Sequence, residues 1–305
     1  MASGRFNIAQ LIPDDRVHGV HGFREVIETV DWGLTALGLE VTRSVNRGVN
    51  DGTNIIFGFH ALSATAIEAL PPDTIVYNFE QMAGRDVDAI RPAYHAAARR
   101  LRIWEYSERN LPVWNQLHPA LGVVHVPVGW APVLERIPED VEKDIDVLFY
   151  GFPGALRLEV FDQLCRMGAR SVFACGLYGE GRDNLIARAK LVLNLNFYES
   201  SSIFEVVRVS YLLANAKAVV ANANADMFVE SDLLGAVAFA PREQVAAACV
   251  ALLADEQARA RLGERGREII RRRDIRPILA RALDLSDSLT RGLVAPDRSF
   301  GKVST

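Results

Sequence analysis

The stretch from residue 190 to residue 221, KLVLNLNFYESSSIFEVVRVSYLLANAKAVVA, constrains the fold more than any other part of the chain. Its first run, 191–195, is apolar apart from Asn194, which is typical of a parallel strand covered by helices on both faces. A loop of small polar residues, a helix and a second apolar strand follow. Glu205 and Arg208 stand three residues apart at the start of that helix and therefore share a face. The pattern predicts an α/β fold with a carboxylate, a guanidinium and unpaired N–H groups at a strand's carboxyl end, where phosphates and nucleotides bind.

Short apolar strands alternate with helical segments along the rest of the chain. This alternation favours parallel sheets with right-handed crossovers. One helix is predicted over residues 22–38, where apolar side chains recur at helical spacing. Further strands are predicted at 6–12, 54–59, 74–79, 102–106, 123–128, 145–150, 171–174 and 237–240.

The length of the chain and a break near its middle predict two domains. At 305 residues the chain exceeds the size that one hydrophobic core usually organises. Residues 131–144 contain two prolines and a dense acidic run, as a surface linker does. We therefore expect Rossmann-like domains at 1–135 and 136–285, followed by a polar tail at 286–305.

The composition argues against several classes of protein. A formal charge of −4 gives no electrostatic reason to expect nucleic acid as a partner. No window approaches the ~18 apolar residues of a membrane helix, and the first residues lack a signal-peptide run, so we expect no membrane span and a cytoplasmic location. The three cysteines show no C-x-x-C spacing for zinc. No G-x-G-x-x-G follows the first strand, which disfavours a dinucleotide-dependent dehydrogenase.

Five segments of the chain form an ordered set of motifs: TIVYNFEQM (74–82), IWEYSERN (103–110), VPVGW (126–130), DIDVLFYGFPGALR (144–157) and LNLNFYESSSIFEVVRVSYLLANAKAVV (193–220). In this order, and over about residues 5–222, the chain resembles a bacterial glycosyltransferase family 1-like group. The resemblance implies an α/β fold of the GT-B type, in which two Rossmann-like domains face each other across a cleft. It also implies transfer of a sugar from a nucleotide-sugar donor to a carbohydrate or glycan-type acceptor, without a metal ion or another cofactor.

The chain also departs from the pattern of that group. Asn196 stands in place of a histidine, Trp130 in place of a tyrosine, and Arg157 alone where paired arginines are expected. The E-x7-E pattern of retaining enzymes requires a second carboxylate eight positions after the first, and Glu205 has none at that position. Two other functions therefore stay open: a GT-B protein that binds a nucleotide or glycan without transfer, and an epimerase or nucleotide-diphosphate hydrolase on the same architecture. Retention at the anomeric carbon is favoured if the relation to retaining families holds.

The second domain supplies the candidates for binding the donor nucleotide. Gly151 lets the backbone approach a diphosphate, although an ordinary strand-end turn also explains it. Glu205 is assigned to the ribose hydroxyls, with helix-dipole stabilisation as the alternative. Arg208 is either a phosphate clamp or a salt-bridge partner of Glu205. Arg157 and Lys190 are the cations expected near the diphosphate, although Lys190 is equally explained as a solvated lysine at a helix end. Ser201 either caps the helix or donates to phosphate.

The first domain supplies the candidates for acceptor chemistry. A histidine near neutral pH suits deprotonation of an acceptor hydroxyl, and a plain hydrogen-bonded histidine is the alternative. Two histidines follow the first strand and a third ends the GFH segment. We expect catalytic roles for His18, His60 and Glu80, and acceptor or sugar binding by Gln81, Tyr106 and His21. A structural cap is the alternative for Glu80 and Gln81, and core packing is the alternative for Tyr106.

Overall fold

The computed structural model describes residues 4–12, 22–48, 51–197, 202–224 and 226–284. A sheet of six parallel strands in the order β2-β1-β3-β4-β5-β6 organises the first half of the chain. Its strands are β1 (Arg5–Gln10), β2 (Glu40–Val45), β3 (Thr53–Phe57), β4 (Ile75–Asn78), β5 (Arg102–Glu105) and β6 (Val123–His125). Its helices are α1 (Arg24–Ala36), α2 (Ala64–Glu68), α3 (Pro92–Arg100) and α4 (Leu111–Gln116).

A sheet of five parallel strands in the order β11-β10-β9-β7-β8 organises the second half. Its strands are β7 (Ile145–Tyr150), β8 (Ser171–Ala174), β9 (Ala189–Asn194), β10 (Val219–Ala223) and β11 (Ala238–Pro241). The helices that follow in chain order are α5 (Ala155–Arg166), α6 (Gly179–Arg188), α7 (Val206–Ala214), α8 (Val245–Ala254), α9 (Glu256–Arg271) and α10 (Ile275–Ala282).

The strand order reverses once in each sheet. In the first sheet β1 lies between β2 and β3, and in the second sheet β7 lies between β8 and β9. Connections leave a reversal point on opposite faces of the sheet, so a crevice opens there beyond the carboxyl ends of the strands. The central strands β3 and β9 are almost wholly buried, as their continuous apolar sequences predict.

One edge strand differs from the sequence prediction. The predicted strands omit β2 (Glu40–Val45), which lies at the edge of its sheet with most of its side chains partly or fully exposed. Its sequence, EVTRSV, lacks the apolar run that marks a covered strand.

Among the described helices, none is both long and apolar enough to cross a membrane.

The last helix returns to the first domain. The sequence division places α10 in the second domain, but the structure packs it against α1. A Cβ built on Gly33 of α1 would lie 2.7 Å from side-chain atoms of both Ile275 and Leu279, so any larger residue would force these side chains to shift. The chain passes from the first domain to the second near Trp130 and returns near Arg273. Backbone hydrogen bonds join these two segments: Trp130 N donates to Arg273 O (2.7 Å), and Ile275 N donates to Trp130 O (3.0 Å).

Candidate functional site

A cleft of about 430 Å³ lies where the carboxyl ends of the two sheets meet. Four of its lining residues, Phe79, Tyr106, Gly151 and Phe197, come within three positions of the ends of β4, β5, β7 and β9. The rest of the second-domain wall comes from the end of β7 and the loop after it, the loop after β8, the first turns of α5 and α6, and residues 204–211 at the start of α7. Both sheets therefore contribute the edge at which parallel α/β folds bind ligands.

Glu205 lies between two arginines on the second-domain wall. Its Oε1 is 3.4 Å from Nη2 of Arg157, and its Oε2 is 3.2 Å from Nη2 of Arg208. Glu205 is also the N-cap residue of α7, and its own side chain makes no capping hydrogen bond to that helix. The wall thus combines two cations, one carboxylate and a helix N-terminus that favours negative charge.

Arg157 is built into the wall. Its Nε and Nη2 donate to the carbonyl of Leu195 (3.0 and 2.7 Å), and its Nη1 donates to Phe152 O (2.9 Å). The guanidinium lies about 5 Å from the ring centres of Phe149 and Phe197. Burial is the largest influence on Arg157 and lowers its pKa to about 10. Arg157 therefore remains a cation at neutral pH, with most of its hydrogen-bond donors already used.

Arg208 has hydrogen-bonding capacity to spare. Its Nη1 is buried and has no partner among the described residues. A buried charged donor without an acceptor costs roughly 1–3 kcal/mol, which an anionic ligand would relieve. Gly151 lies beside this guanidinium with φ +145°, and a Cβ there would be 3.4 Å from Nη2 of Arg208. The absent side chain leaves the backbone open to a ligand next to Arg208.

The structure adds two charged lining residues that the sequence analysis missed, Glu25 of α1 and Arg182 of α6. Oε1 of Glu25 accepts from Nη2 of Arg182 at 2.6 Å and from Nη2 of Arg136 at 3.2 Å. The guanidinium of Arg182 also lies 4.7 Å from the ring centre of Tyr211. Sequence spacing carries no signal for an ion pair between residues 157 positions apart. These contacts join the two domains at one side of the cleft.

Gln81 and Tyr106 both line the cleft from the first domain. Gln81 directs its amide at the second domain: Nε2 donates to Ile203 O (2.9 Å), and Oε1 accepts from Ser202 N (3.2 Å) and Ile203 N (3.3 Å). Tyr106 is almost completely buried beside Phe79, and burial raises the pKa of its hydroxyl well above the usual value. The side-chain amide of Gln81, which the sequence analysis expects to bind a sugar, thus already makes hydrogen bonds to the backbone of the second domain.

His60 and Glu80 lie together but outside the lining of the cleft. Nε2 of His60 is 3.6 Å from Oε1 of Glu80, and each follows the carboxyl end of a first-domain strand. The structure therefore does not bring these two expected catalytic residues against Glu205 and Arg208.

Lys190 lies away from the expected diphosphate position. It is the second residue of β9 (Ala189–Asn194), at the amino end of a parallel strand, whereas the cleft lies at the carboxyl ends. Its Nζ is 2.7 Å from Oδ1 of Asp146 near the start of β7. The expectation for Lys190 is corrected accordingly. The candidates His18, His21 and Ser201 fall outside the described residues.

Two doubly wound parallel sheets whose carboxyl ends border one cleft define the GT-B architecture, and solved structures share it over nearly the whole chain. HepE of Anabaena in complex with UDP and glucose gives a TM-score of 0.62 at 11% identity, covering 94% of this chain and 100% of HepE. Sucrose-phosphate synthase of Thermosynechococcus elongatus gives 0.58 at 14% identity, covering 95% and 99%. AviGT4, a glycosyltransferase involved in avilamycin A biosynthesis, gives 0.56 at 15%, covering 94% and 98%. The chain therefore has the GT-B fold of glycosyltransferases, and the predicted fold class is confirmed.

Sequence comparison adds little to this result. An uncharacterised protein of Acanthamoeba polyphaga mimivirus is 24% identical over 153 residues, and the match spans about half of each chain, 48% of this one and 49% of the viral protein. No protein-family profile matches the chain.

Proposed function

We propose that this chain is a glycosyltransferase that moves a sugar from a nucleotide-sugar donor to a carbohydrate or glycan-type acceptor, without a metal ion or other cofactor. The observation that carries the proposal is the buried Nη1 of Arg208, which has no hydrogen-bond partner among the described residues. The same guanidinium lies beside Gly151, and Arg208 stands in the first turn of α7. A cation, an open backbone position and a helix N-terminus together suit a diphosphate.

The residues of the cleft would divide the donor between them. Arg208 and the first turn of α7 would bind the diphosphate, while Arg157 behind them would add positive charge. Glu205 would accept hydrogen bonds from the ribose hydroxyls, since a carboxylate accepts from two donors at once. HepE was crystallised with UDP and with UDP-glucose, so uridine diphosphate sugars are the first donors to test.

The same cations would assist the reaction itself. When the bond between the anomeric carbon and the diphosphate oxygen breaks, the electron pair stays on the diphosphate. The sugar passes to an acceptor hydroxyl oxygen, whose proton goes to the departing diphosphate or to solvent. Negative charge therefore grows on the diphosphate in the transition state, where fixed cations and N–H dipoles stabilise it most. Arginines that are already held in place would supply this charge without a metal ion.

The proposal is tested by measuring nucleoside diphosphate release from a panel of UDP-, GDP-, CDP-, dTDP- and ADP-sugars, with and without glycan acceptors. We expect release that depends on an acceptor, persists in a metal chelator and is abolished in Arg208→Gln. Arg166→Gln is the matched control, because Arg166 lies on α5 with a largely exposed side chain. Release without any acceptor would instead indicate a hydrolase, and binding without release under any condition would indicate a binding protein.

A further inference from the structure

We infer that Gln81 is a positioning residue whose side-chain amide clamps residues 202–203 of the second domain and thereby sets the position of Glu205. The inference rests on the proposed function only in taking Glu205 as a donor-binding residue. Gln81 makes three hydrogen bonds to that backbone, which lies 121 and 122 positions further along the chain. One amide thus pairs with two N–H groups and a carbonyl, as a neighbouring strand would.

The loop that carries Gln81 is itself fixed by two buried asparagines. Oδ1 of Asn110 accepts from the N–H groups of Met82 (2.8 Å) and Ala83 (3.0 Å). The side-chain amides of Asn78 and Asn110 both donate to the carbonyl of Glu80, at 3.0 and 2.9 Å. These bonds hold the backbone on both sides of Gln81, so little conformational freedom is lost when its side chain binds across the cleft.

Both asparagines are held in turn by Glu105, which is completely buried. Its carboxylate accepts from Asn78 Nδ2 (2.7 Å) and Asn110 Nδ2 (2.9 Å), and also from Ser107 N and Trp114 Nε1 at 2.9 and 2.8 Å. The motifs YNFEQ and WEYSERN therefore form one buried polar network. Gln81 is the part of this network that reaches the second domain.

The clamped segment leads directly to the donor wall, since Glu205 follows Ile203 by two residues. The second domain holds the same segment from its own side: Phe228 N donates to Ser202 O (2.8 Å), and Phe204 N donates to Phe228 O (3.0 Å). Removing the Gln81 amide should therefore loosen the segment without unfolding it. Because these backbone bonds to Phe228 do not involve Gln81, the effect of removing the Gln81 amide can be measured in a folded protein.

The direct test is residue-resolved amide hydrogen exchange in wild type, Gln81→Leu and Gln81→Glu. In Gln81→Leu we expect the amides of Ser202 and Ile203 to exchange at least about tenfold faster, because they lose their acceptor. The amide of Phe204, which donates to Phe228, should change less and serves as the internal reference. Gln81→Glu keeps an acceptor for both N–H groups but replaces the donor to Ile203 O with an oxygen that repels this carbonyl, so its exchange rates should lie between the other two.

The second readout is calorimetric binding of UDP to the same variants. Gln81→Leu is expected to weaken UDP binding by about tenfold, the scale of one lost hydrogen bond. The control is Gln116→Leu, at an exposed glutamine on α4, which should match wild type in both measurements.

The two readouts separate the clamp from the proposed function. Unchanged exchange at Ser202 and Ile203 in Gln81→Leu would overturn the clamp, and so would Gln81→Glu rates equal to those of Gln81→Leu. Faster exchange with unchanged UDP affinity would overturn the positioning of Glu205. A wild type that binds no nucleotide would overturn the proposed donor site, while the exchange comparison would still decide whether Gln81 clamps the second domain.

Discussion

At the scale of single residues, Glu205 provides the sharpest test of how the donor is divided. Its carboxylate contacts Arg157 and Arg208 and stands at the start of α7. If it binds ribose hydroxyls, Glu205→Gln should weaken UDP binding by about tenfold through lost charge-assisted hydrogen bonds. Binding of inorganic pyrophosphate should not weaken, because the arginines then lose their competing anion. Calorimetric titration of both ligands checks this, and a parallel loss of both would contradict the ribose assignment.

Lys217, between α7 and β10, gives a prediction about pH. Burial, together with the nearby charge of Lys143, lowers the pKa of Lys217 from 10.5 to about 8. The unfolded chain therefore binds more protons than the folded protein between these values, so the free energy of unfolding should rise with pH across that range. The full difference is on the order of 3 kcal/mol.

The comparison for this prediction is Lys217→Met, which keeps the side-chain length and removes the charge. It should be more stable than wild type near neutral pH, and the gap should narrow as the pH rises above about 8. Urea denaturation at several pH values measures the effect. Parallel pH profiles of the two proteins would show that Lys217 does not titrate in this way.

Residues on one element could be placed from sequence, and residues brought together by the fold could not. Helical spacing placed Glu205 and Arg208 side by side, and they form the ion pair of the donor wall. Glu25 and Arg182 meet only because α1 and α6 border the same cleft. The prediction for Lys190 fails for a different reason: Lys190 stands at the amino end of β9, whereas the cleft lies at the carboxyl ends of the strands.

At the scale of helices and strands, the contact of α1 with α10 yields a prediction about packing. A methyl group on Gly33 would press on Ile275 and Leu279, so Gly33→Ala should destabilise the protein by about 1–3 kcal/mol. Greater helix propensity offsets up to about 1 kcal/mol of this loss. Leu279→Ala removes one of the obstructing side chains, and the double variant should therefore be less destabilised than the sum of the single changes. Additive losses in chemical denaturation would show that the two helices do not press on each other at Gly33.

Strands covered on both faces were predicted well because burial leaves a continuous apolar run. The bounds of β7, which is covered in this way, match the predicted 145–150. The exposed edge strand β2 was missed because it forms through backbone hydrogen bonds to β1 and not through burial of apolar side chains. Edge strands of this kind carry little signal in the sequence.

At the scale of the whole molecule, the order of motifs predicted two facing α/β domains, and the fold confirms them. Composition and periodicity do not predict that α10 packs on the first domain, because α10 has the apolar spacing of any surface helix. Its partner depends on where the chain returns to the first domain, and the backbone hydrogen bonds of Trp130 with Arg273 and Ile275 fix that point. Around the cleft, Arg136 and Gln81 add side-chain contacts between the domains.

The central claim, that this cleft binds the diphosphate of a nucleotide, is tested most directly by calorimetric titration of UDP, GDP, CDP, dTDP and ADP. The proteins compared are wild type, Arg208→Gln and the exposed-arginine control Arg166→Gln. We predict that at least one nucleotide binds wild type and the control equally, and that Arg208→Gln weakens its binding by about tenfold or more, since a charge-assisted hydrogen bond is lost. No binding by any of the five nucleotides, or equal binding by all three proteins, would contradict the claim.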